Sequence, residues 1–199
     1  MPRPVDQAKR RDLIDRVRAY MIRHGLADLS LRPLARELGT SDRMLLYYFG
    51  TKEHMVAEAL ALDERRPLVR ARDLLEADGS PQDPAGMRRF MEDTWRQFRA
   101  PDLRPALPLY LEIMTASLLH SDRYGPVMRD LLGEWADLLT SAFRGLGMSG
   151  DRARTEATVL VGATFGLLVA SLATDDRSGI DAAFHTLLDR LEPGWEVVI

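Results

Sequence analysis

The chain has 199 residues, no cysteine and a formal net charge of −3. The absence of cysteine excludes disulfide frameworks and thiolate metal sites. A hydrophobic fraction of 46% beside a charged fraction of 29% is typical of soluble globular proteins rather than disordered ones. The opening stretch, MPRPVDQAKRRD, turns charged at once, so we expect no signal peptide and a cytoplasmic location.

The charge is distributed unevenly along the chain. Residues 1–52 contain 11 basic and 6 acidic side chains, a net charge of +5, whereas residues 53–199 contain 16 and 24, a net charge of −8. A basic segment joined to an acidic remainder suggests that only the first segment meets a polyanion.

Apolar residues recur at spacings of three and four along nearly the whole chain, and strand signals are almost absent, which predicts an all-α protein. The first helix is expected from Asp6 to His24, and Gly25 ends it. Its inner face is predicted to carry five side chains: Leu13, Ile14, Val17, Tyr20 and Met21.

Two short helices follow. Ser30 can cap a helix over Leu31–Leu38, and Ser41 can cap another over Asp42–Phe49. Gly39, between them, supplies the unusual backbone angle that a tight turn needs.

A fourth helix is expected to begin at Lys52, capped by Thr51, and to kink or break at Pro67. The breaker-rich stretch ADGSPQDPAG, residues 77–86, ends this part of the chain. Five further helices bring the total to about nine, over residues 84–99, 103–120, 125–146, 152–174 and 179–191.

The third helix has two different sides. At about 100° per residue, Leu45, Tyr48 and Phe49 cluster on one side. Arg43 and Tyr47 occupy the opposite side. We therefore predict that Tyr48 and Phe49 are core residues and that Tyr47 stays outside, one turn from an arginine.

The second helix fits beneath the third. Leu34 and Leu38 point to the same core, and Ala35 is small at the place where two helices must cross closely. With the turn at Gly39, this arrangement matches the helix-turn-helix pattern.

The exposed side chains suit double-stranded DNA. Arg43 can hydrogen-bond two acceptors on a guanine edge, and the Tyr47 hydroxyl can reach a phosphate. Lys52 lies at a helix start that already favours anions, and Ser30 with Arg32 can grip another phosphate. The residues predicted to bind DNA are Ser30, Arg32, Thr40, Ser41, Asp42, Arg43, Met44, Tyr47 and Lys52.

Residues 8–60, and above all LRPLARELGTSDRMLLYYFGTKEHM, resemble the DNA-binding region of the TetR family of bacterial transcriptional regulators. The resemblance implies a three-helix DNA-binding domain over residues 1–51 and a helical ligand-binding and dimerisation domain over residues 52–199. It also implies a repressor that releases its operator when a small molecule binds, with no cofactor. Leu46 stands where the family often has tyrosine, Arg43 where a small residue is common, and Thr40 where valine is usual.

Residues 157–174, ATVLVGATFGLLVASLAT, form 18 positions without a charge, close to the length of a membrane span. Gly162 and Gly166 have the spacing used between packed membrane helices. Three threonines, a serine and the lack of a basic flank favour instead a helix buried on all sides within protein.

A dimer interface is the expected use of this helix together with the last one. The last helix, Asp181–Leu191, presents four apolar side chains on one face. Two-fold symmetry would place two DNA-binding heads about 34–36 Å apart, on successive major grooves of a palindromic site. The residues predicted at the interface are Gly162, Gly166, Phe184, Leu187, Leu188 and Leu191.

A ligand pocket is implied by the resemblance more than by single residues. Six large side chains lie on predicted inner faces of the body helices, where they either line a pocket or pack the core. They favour an apolar or aromatic effector, while Glu112 and Asp137 leave a cationic one open. The candidate ligand-binding residues are Trp95, Phe98, Tyr110, Met114, Trp135 and Phe165.

Two other classes of protein are weaker alternatives. An enzyme is disfavoured because the four histidines are far apart and no nucleophile, phosphate-loop or dinucleotide motif is present. A small-molecule-binding or scaffolding dimer that has lost DNA binding stays open, because Leu46 replaces a tyrosine.

Overall fold

The computed structural model describes residues 6–26, 29–61, 67–174 and 176–196. Within these ranges the chain forms α-helices and two short 3-10 turns and no strand, which confirms the predicted all-α class. The α-helices are α1 (Gln7–His24), α2 (Leu31–Glu37), α3 (Asp42–Phe49), α4 (Lys52–Ala61), α5 (Pro67–Asp78), α6 (Pro84–Phe98), α7 (Leu107–Leu119), α8 (Ser121–Gly145), α9 (Gly150–Ala173) and α10 (Arg177–Leu191). The 3-10 turns are Arg104–Ala106 and Glu192–Trp195.

Two predicted helix starts are wrong: the helix expected from residue 103 begins at Leu107, after a 3-10 turn, and the next begins before residue 125. The stretch SDRYGP was expected to separate two helices, but α8 begins at Ser121 and contains Pro126. Pro126 and Asp122, four residues before it, are exposed. Water can therefore bond the Asp122 carbonyl that loses its helical partner to the proline, and the helix continues.

The first compact unit comprises Met1–Arg66 and Arg104–Met128. It contains α1 to α4, α7 and the start of α8. The predicted inner face of α1 is confirmed, since the five side chains named from the sequence are its buried residues. The core of this unit also includes Leu34, Ala35, Leu38, Leu45, Phe49, Met55 and Val56.

The second compact unit comprises Pro67–Leu103 and Arg129–Ile199. Trp95 of α6 stacks on Phe184 of α10, with ring centroids 4.5 Å apart. Phe143 of α8 meets Trp195 edge-on at 5.4 Å. Aromatic packing therefore joins α6 to α10, and α8 to the 3-10 turn that follows α10. The predicted domain boundary after residue 51 stays a prediction.

Candidate nucleic-acid interface

The turn between α2 and α3 fixes the angle of the two helices. Gly39 has φ +63°, a left-handed conformation that side chains with a β-carbon rarely adopt. The amide of Thr40 then donates to the Ala35 carbonyl at 2.9 Å. Ala35 is 3% exposed, so a larger side chain at this position would push the helices apart.

The inner side of α3 is narrower than predicted. Leu45 and Phe49 are buried as expected, but Tyr48 is half-buried, which corrects its assignment to the core. At about 100° per residue, Tyr48 lies about 80° from the direction midway between Leu45 and Phe49, so its ring sits at the edge of the buried face. The Tyr48 ring meets the Tyr47 ring edge-on at 5.4 Å.

The outer side of α3 presents Arg43 and Tyr47, the two residues placed there from the sequence. Tyr47 is 51% exposed, and Leu46, beside it, is 41% exposed. A helix of eight residues thus offers a guanidinium, a phenol and an apolar group on one surface.

Three arginines of α1 form polar contacts with residues in or next to α2, α3 and α4, and these contacts support the exposed surface of α3. Arg10 pairs with both carboxylate oxygens of Glu58 on α4 and donates from Nε to the Tyr48 carbonyl at 3.2 Å. Arg16 donates to the Leu38 carbonyl at 2.6 Å. The third, Arg23, pairs with Glu37 of α2. Part of the positive charge of the first 52 residues therefore holds the fold, a use that the sequence analysis missed.

Most of the other predicted DNA contacts lie on the surface around α3. Ser41 accepts from the Met44 amide at 3.2 Å, which confirms it as the cap of α3. Ser30 stands at the cap position of α2, but its side chain makes no capping bond. Arg32 is exposed, with Nε 4.0 Å from the half-buried Asp42. The remaining two, Thr40 and Met44, are half-buried.

Lys52 is held by the protein itself. Its ammonium donates to the backbone carbonyl of Leu29 at 3.1 Å, so it ties the start of α4 to the chain segment before α2. An ammonium has three N–H donors, and the remaining two can still face a phosphate. Lys52 thus has a structural contact that spacing along the sequence did not reveal.

Glu112 of α7 closes the end of α1. Its carboxylate accepts from the backbone amide of Leu26. Gly25 has φ +75°, and a β-carbon there would lie 2.6 Å from a Glu112 oxygen. The carboxylate therefore has a structural role inside the first unit. Its presence does not require a cationic ligand.

The six candidate ligand-binding residues are divided between the two compact units. Tyr110 and Met114 belong to the first unit, and the other four belong to the second. Phe98 and Trp135 lie 5.7 Å apart between ring centroids. Trp95 is occupied by its stack on Phe184, and its Nε1 donates to Asp181 at 2.8 Å. Met114 and Phe165 are half-buried rather than fully inside.

The predicted dimer face of α10 requires correction. Phe184 and Leu188 are completely buried in the core of their own chain, and Leu187 and Leu191 are half-buried. The apolar face of α10 therefore packs inside the second unit, so Phe184 and Leu188 are not available to a partner. Gly162 and Gly166 of α9 are exposed.

Helix α9 is unusual for its apolar character at the surface. An 18-residue window of this helix has a mean hydropathy of 1.7, sufficient by length and composition to cross a membrane. Only 22% of that window is buried inside the chain. Val159 is among the exposed large hydrophobic side chains. The expectation of a helix covered on all sides is therefore not met within one chain.

A short helix that packs by one side against its neighbours and presents an arginine and a tyrosine on the other has the geometry of the recognition helix in helix-turn-helix DNA-binding proteins. Residues 13–59 match the family model described as bacterial regulatory proteins, tetR family. This segment, which runs from α1 into α4, is similar to the DNA-binding region of the TetR family of transcription regulators.

Solved structures share the fold over nearly the whole chain. A transcriptional regulator from Rhodococcus sp. Rha1 is 19% identical with a TM-score of 0.71, and the match covers 96% of this chain and 99% of that one. A transcriptional regulator from Saccharomonospora viridis, in complex with choline, is 22% identical with a TM-score of 0.68, covering 94% and 97%. BioQ with its double-stranded DNA operator is 20% identical with a TM-score of 0.58, covering 92% and 98%. No curated protein matches the chain in sequence.

Proposed function

We propose that this chain is a cytoplasmic repressor that binds a palindromic operator as a homodimer and leaves it when a small apolar or aromatic effector binds. The observation that carries the proposal is the outward pair Arg43 and Tyr47 on a helix whose back, Leu45 and Phe49, is buried. Because α3 is packed on its inner side against the neighbouring helices, it can enter a major groove without rearrangement of these helices. The relative solved with its operator supports the same use of the fold.

Selection of bound duplexes from a random pool tests this proposal. The protein is expected to enrich a symmetric site whose half-sites lie one helical turn, about 10–10.5 bp, or a multiple of it apart. When the selection is repeated in the presence of candidate effectors, the true effector should abolish the enrichment of this site. Enrichment of no sequence would overturn the proposal and favour a dimer that has lost DNA binding.

We propose an uncharged effector rather than a cation such as the choline bound by the relative from Saccharomonospora. Asp137 of α8 is exposed, and Glu112, in the first unit, is bonded to a backbone amide. Within the part of the chain that the structure describes, the hydroxyls of Thr94 and Thr164 are buried without a hydrogen-bond partner. These hydroxyls can offer polar contacts to an otherwise apolar molecule.

The homodimer is proposed to form through the exposed side of α9. This side carries small side chains at helical spacing, and a second copy would cover the apolar surface that the chain itself leaves open. From α10, the small residues of the exposed side, rather than the buried apolar face, would contribute to the interface. The residues proposed to meet the partner are Thr155, Val159, Gly162 and Gly166 of α9 and Ala182, Ala183 and Thr186 of α10.

Gly166→Gln is expected to give a folded monomer. A β-carbon at Gly166 meets nothing within 4 Å in the chain, and replacing a mid-helix glycine stabilises the helix by about 0.5–1 kcal/mol. The longer side chain would block close approach of a second α9. Analytical ultracentrifugation at a concentration where the wild type is dimeric measures the effect.

Gly133→Gln in α8 is the matched control, because a β-carbon there also meets open space. It should leave the dimer intact. A Gly166→Gln protein that stays dimeric would move the interface away from α9. Flotation of the wild type with lipid vesicles would instead indicate that α9 inserts into a membrane.

Lys52→Gln is expected to weaken binding to all duplexes by a similar factor. Removing one phosphate-binding ammonium from each subunit should reduce the slope of log K against log salt by about 0.9 per neutralised phosphate. Lys9→Gln, which removes the same charge from an exposed position on α1, should have a smaller effect. Titrations over a salt series measure both, and a change in base preference with Lys52→Gln would contradict the phosphate role.

A further inference from the structure

Leu46 is an apolar side chain on the exposed surface of the recognition helix. It is 41% exposed, close to the value for Tyr47. The core of the first unit takes Leu45 and Phe49 from this helix. Leu46 therefore adds little to the buried core, and its side chain is accessible for contact with DNA.

The position of Leu46 places it beside the predicted base contact. It follows Arg43 by three residues, a spacing that makes two side chains neighbours on a helix surface. At about 100° per residue the two point about 60° apart around the axis. A groove that brings the Arg43 guanidinium to a base edge therefore brings Leu46 close to the adjoining base pairs.

The chemistry of leucine narrows what it can recognise there. Leucine has neither donor nor acceptor, so it gains nothing from phosphate oxygens or from polar base edges. The apolar group that the major groove presents is the 5-methyl of thymine. Tyr47, by contrast, has a hydroxyl that can bond a phosphate whatever the base.

We propose that Leu46 reads one thymine in each half-site by apolar contact with the 5-methyl group. This inference rests on the proposed operator binding and adds the identity of a base to it. A tyrosine hydroxyl at this position could bond a phosphate whatever the base, whereas the leucine side chain can offer only apolar contact.

Deoxyuridine tests the proposal, because it differs from thymidine only by that methyl. In the duplex most enriched from the random pool, each thymine is replaced singly, and the dissociation constant is measured by fluorescence anisotropy at fixed salt. At one thymine per half-site, the replacement should weaken the wild type about fourfold, as expected for loss of one buried methyl. The same replacement should leave the Leu46→Ala variant unaffected.

Two controls make the result specific. Leu46→Ala should keep the wild-type melting temperature, because the site is exposed and alanine is a strong helix former. Tyr47→Phe should lose affinity by the same factor on thymine and uracil duplexes. Equal weakening of wild type and Leu46→Ala at every thymine would overturn the proposal, whereas a wild type that enriches no duplex would overturn operator binding itself.

Discussion

Replacement of Arg43 by alanine is expected to weaken binding to the selected operator by about 1–3 kcal/mol per half-site, with loss of preference at one base pair. Arg43 is exposed at the start of α3, and that end of the helix is capped by Ser41. A guanidinium in this place can donate two hydrogen bonds to a guanine edge, and alanine can donate none. Affinities for the operator and its single-base variants measure the change.

Arg43→Lys separates base reading from charge. Lysine keeps the positive charge but not the planar pair of donors, so it cannot form the bidentate hydrogen bond. We expect Arg43→Lys to retain the affinity for random duplexes and to lose most of the discrimination. A loss of the same size on every sequence, or full rescue by lysine, would show that Arg43 acts only through its charge.

Replacement of Arg10 by methionine is expected to lower the free energy of unfolding by about 2–3 kcal/mol. Arg10 pairs with both oxygens of Glu58, donates to the Tyr48 carbonyl and lies over the Phe49 ring at 5.3 Å from its centroid. The Glu58 side chain is only 13% exposed, so the variant leaves a largely buried carboxylate without this partner. The figure is below that for a fully buried pair because the Arg10 side chain is 28% exposed. Denaturant titration followed by circular dichroism measures the loss.

Two further variants separate the ion pair from other effects. Arg11→Met removes an exposed charge from the neighbouring position of α1 and should change stability little. The double variant Arg10→Met with Glu58→Gln should recover most of the loss, because the unpaired carboxylate is gone. If Arg10→Met lowers the free energy of unfolding no more than Arg11→Met does, the Arg10–Glu58 pair does not stabilise the first unit. DNA binding by Arg10→Met should fall on all sequences alike.

Local pattern predicted much of α1 to α3 because apolar residues in these helices recur at helical spacing. The inner face of α1 and the turn at Gly39 followed from spacing and from the special backbone freedom of glycine. The capping bonds of Ser41 and Thr51 followed from their positions just before a helix. The half-buried Tyr48 was misplaced because a helical wheel gives directions but not the width of the buried face.

Contacts between residues far apart in the chain could not be predicted. The bond of Lys52 to Leu29, the pairs made by Arg10 and the link from Glu112 to Leu26 join residues that no periodicity connects. The apolar face of α10 was visible in the sequence, but its partner was not. A pattern cannot distinguish a face that packs inside one chain from a face that meets a second copy.

The bond from Glu112 to the Leu26 amide bears on the construction of chimeric regulators. The segment that matches the family model ends at residue 59, and exchange of such segments is the obvious way to give one effector response a new operator. Here α7 lies in the same compact unit as the first four helices and supplies the acceptor at the end of α1. A graft of the first 60 residues alone would leave that amide facing whatever side chain the recipient has at the equivalent of position 112. A donor that brings its own residues 104–128 would keep the acceptor.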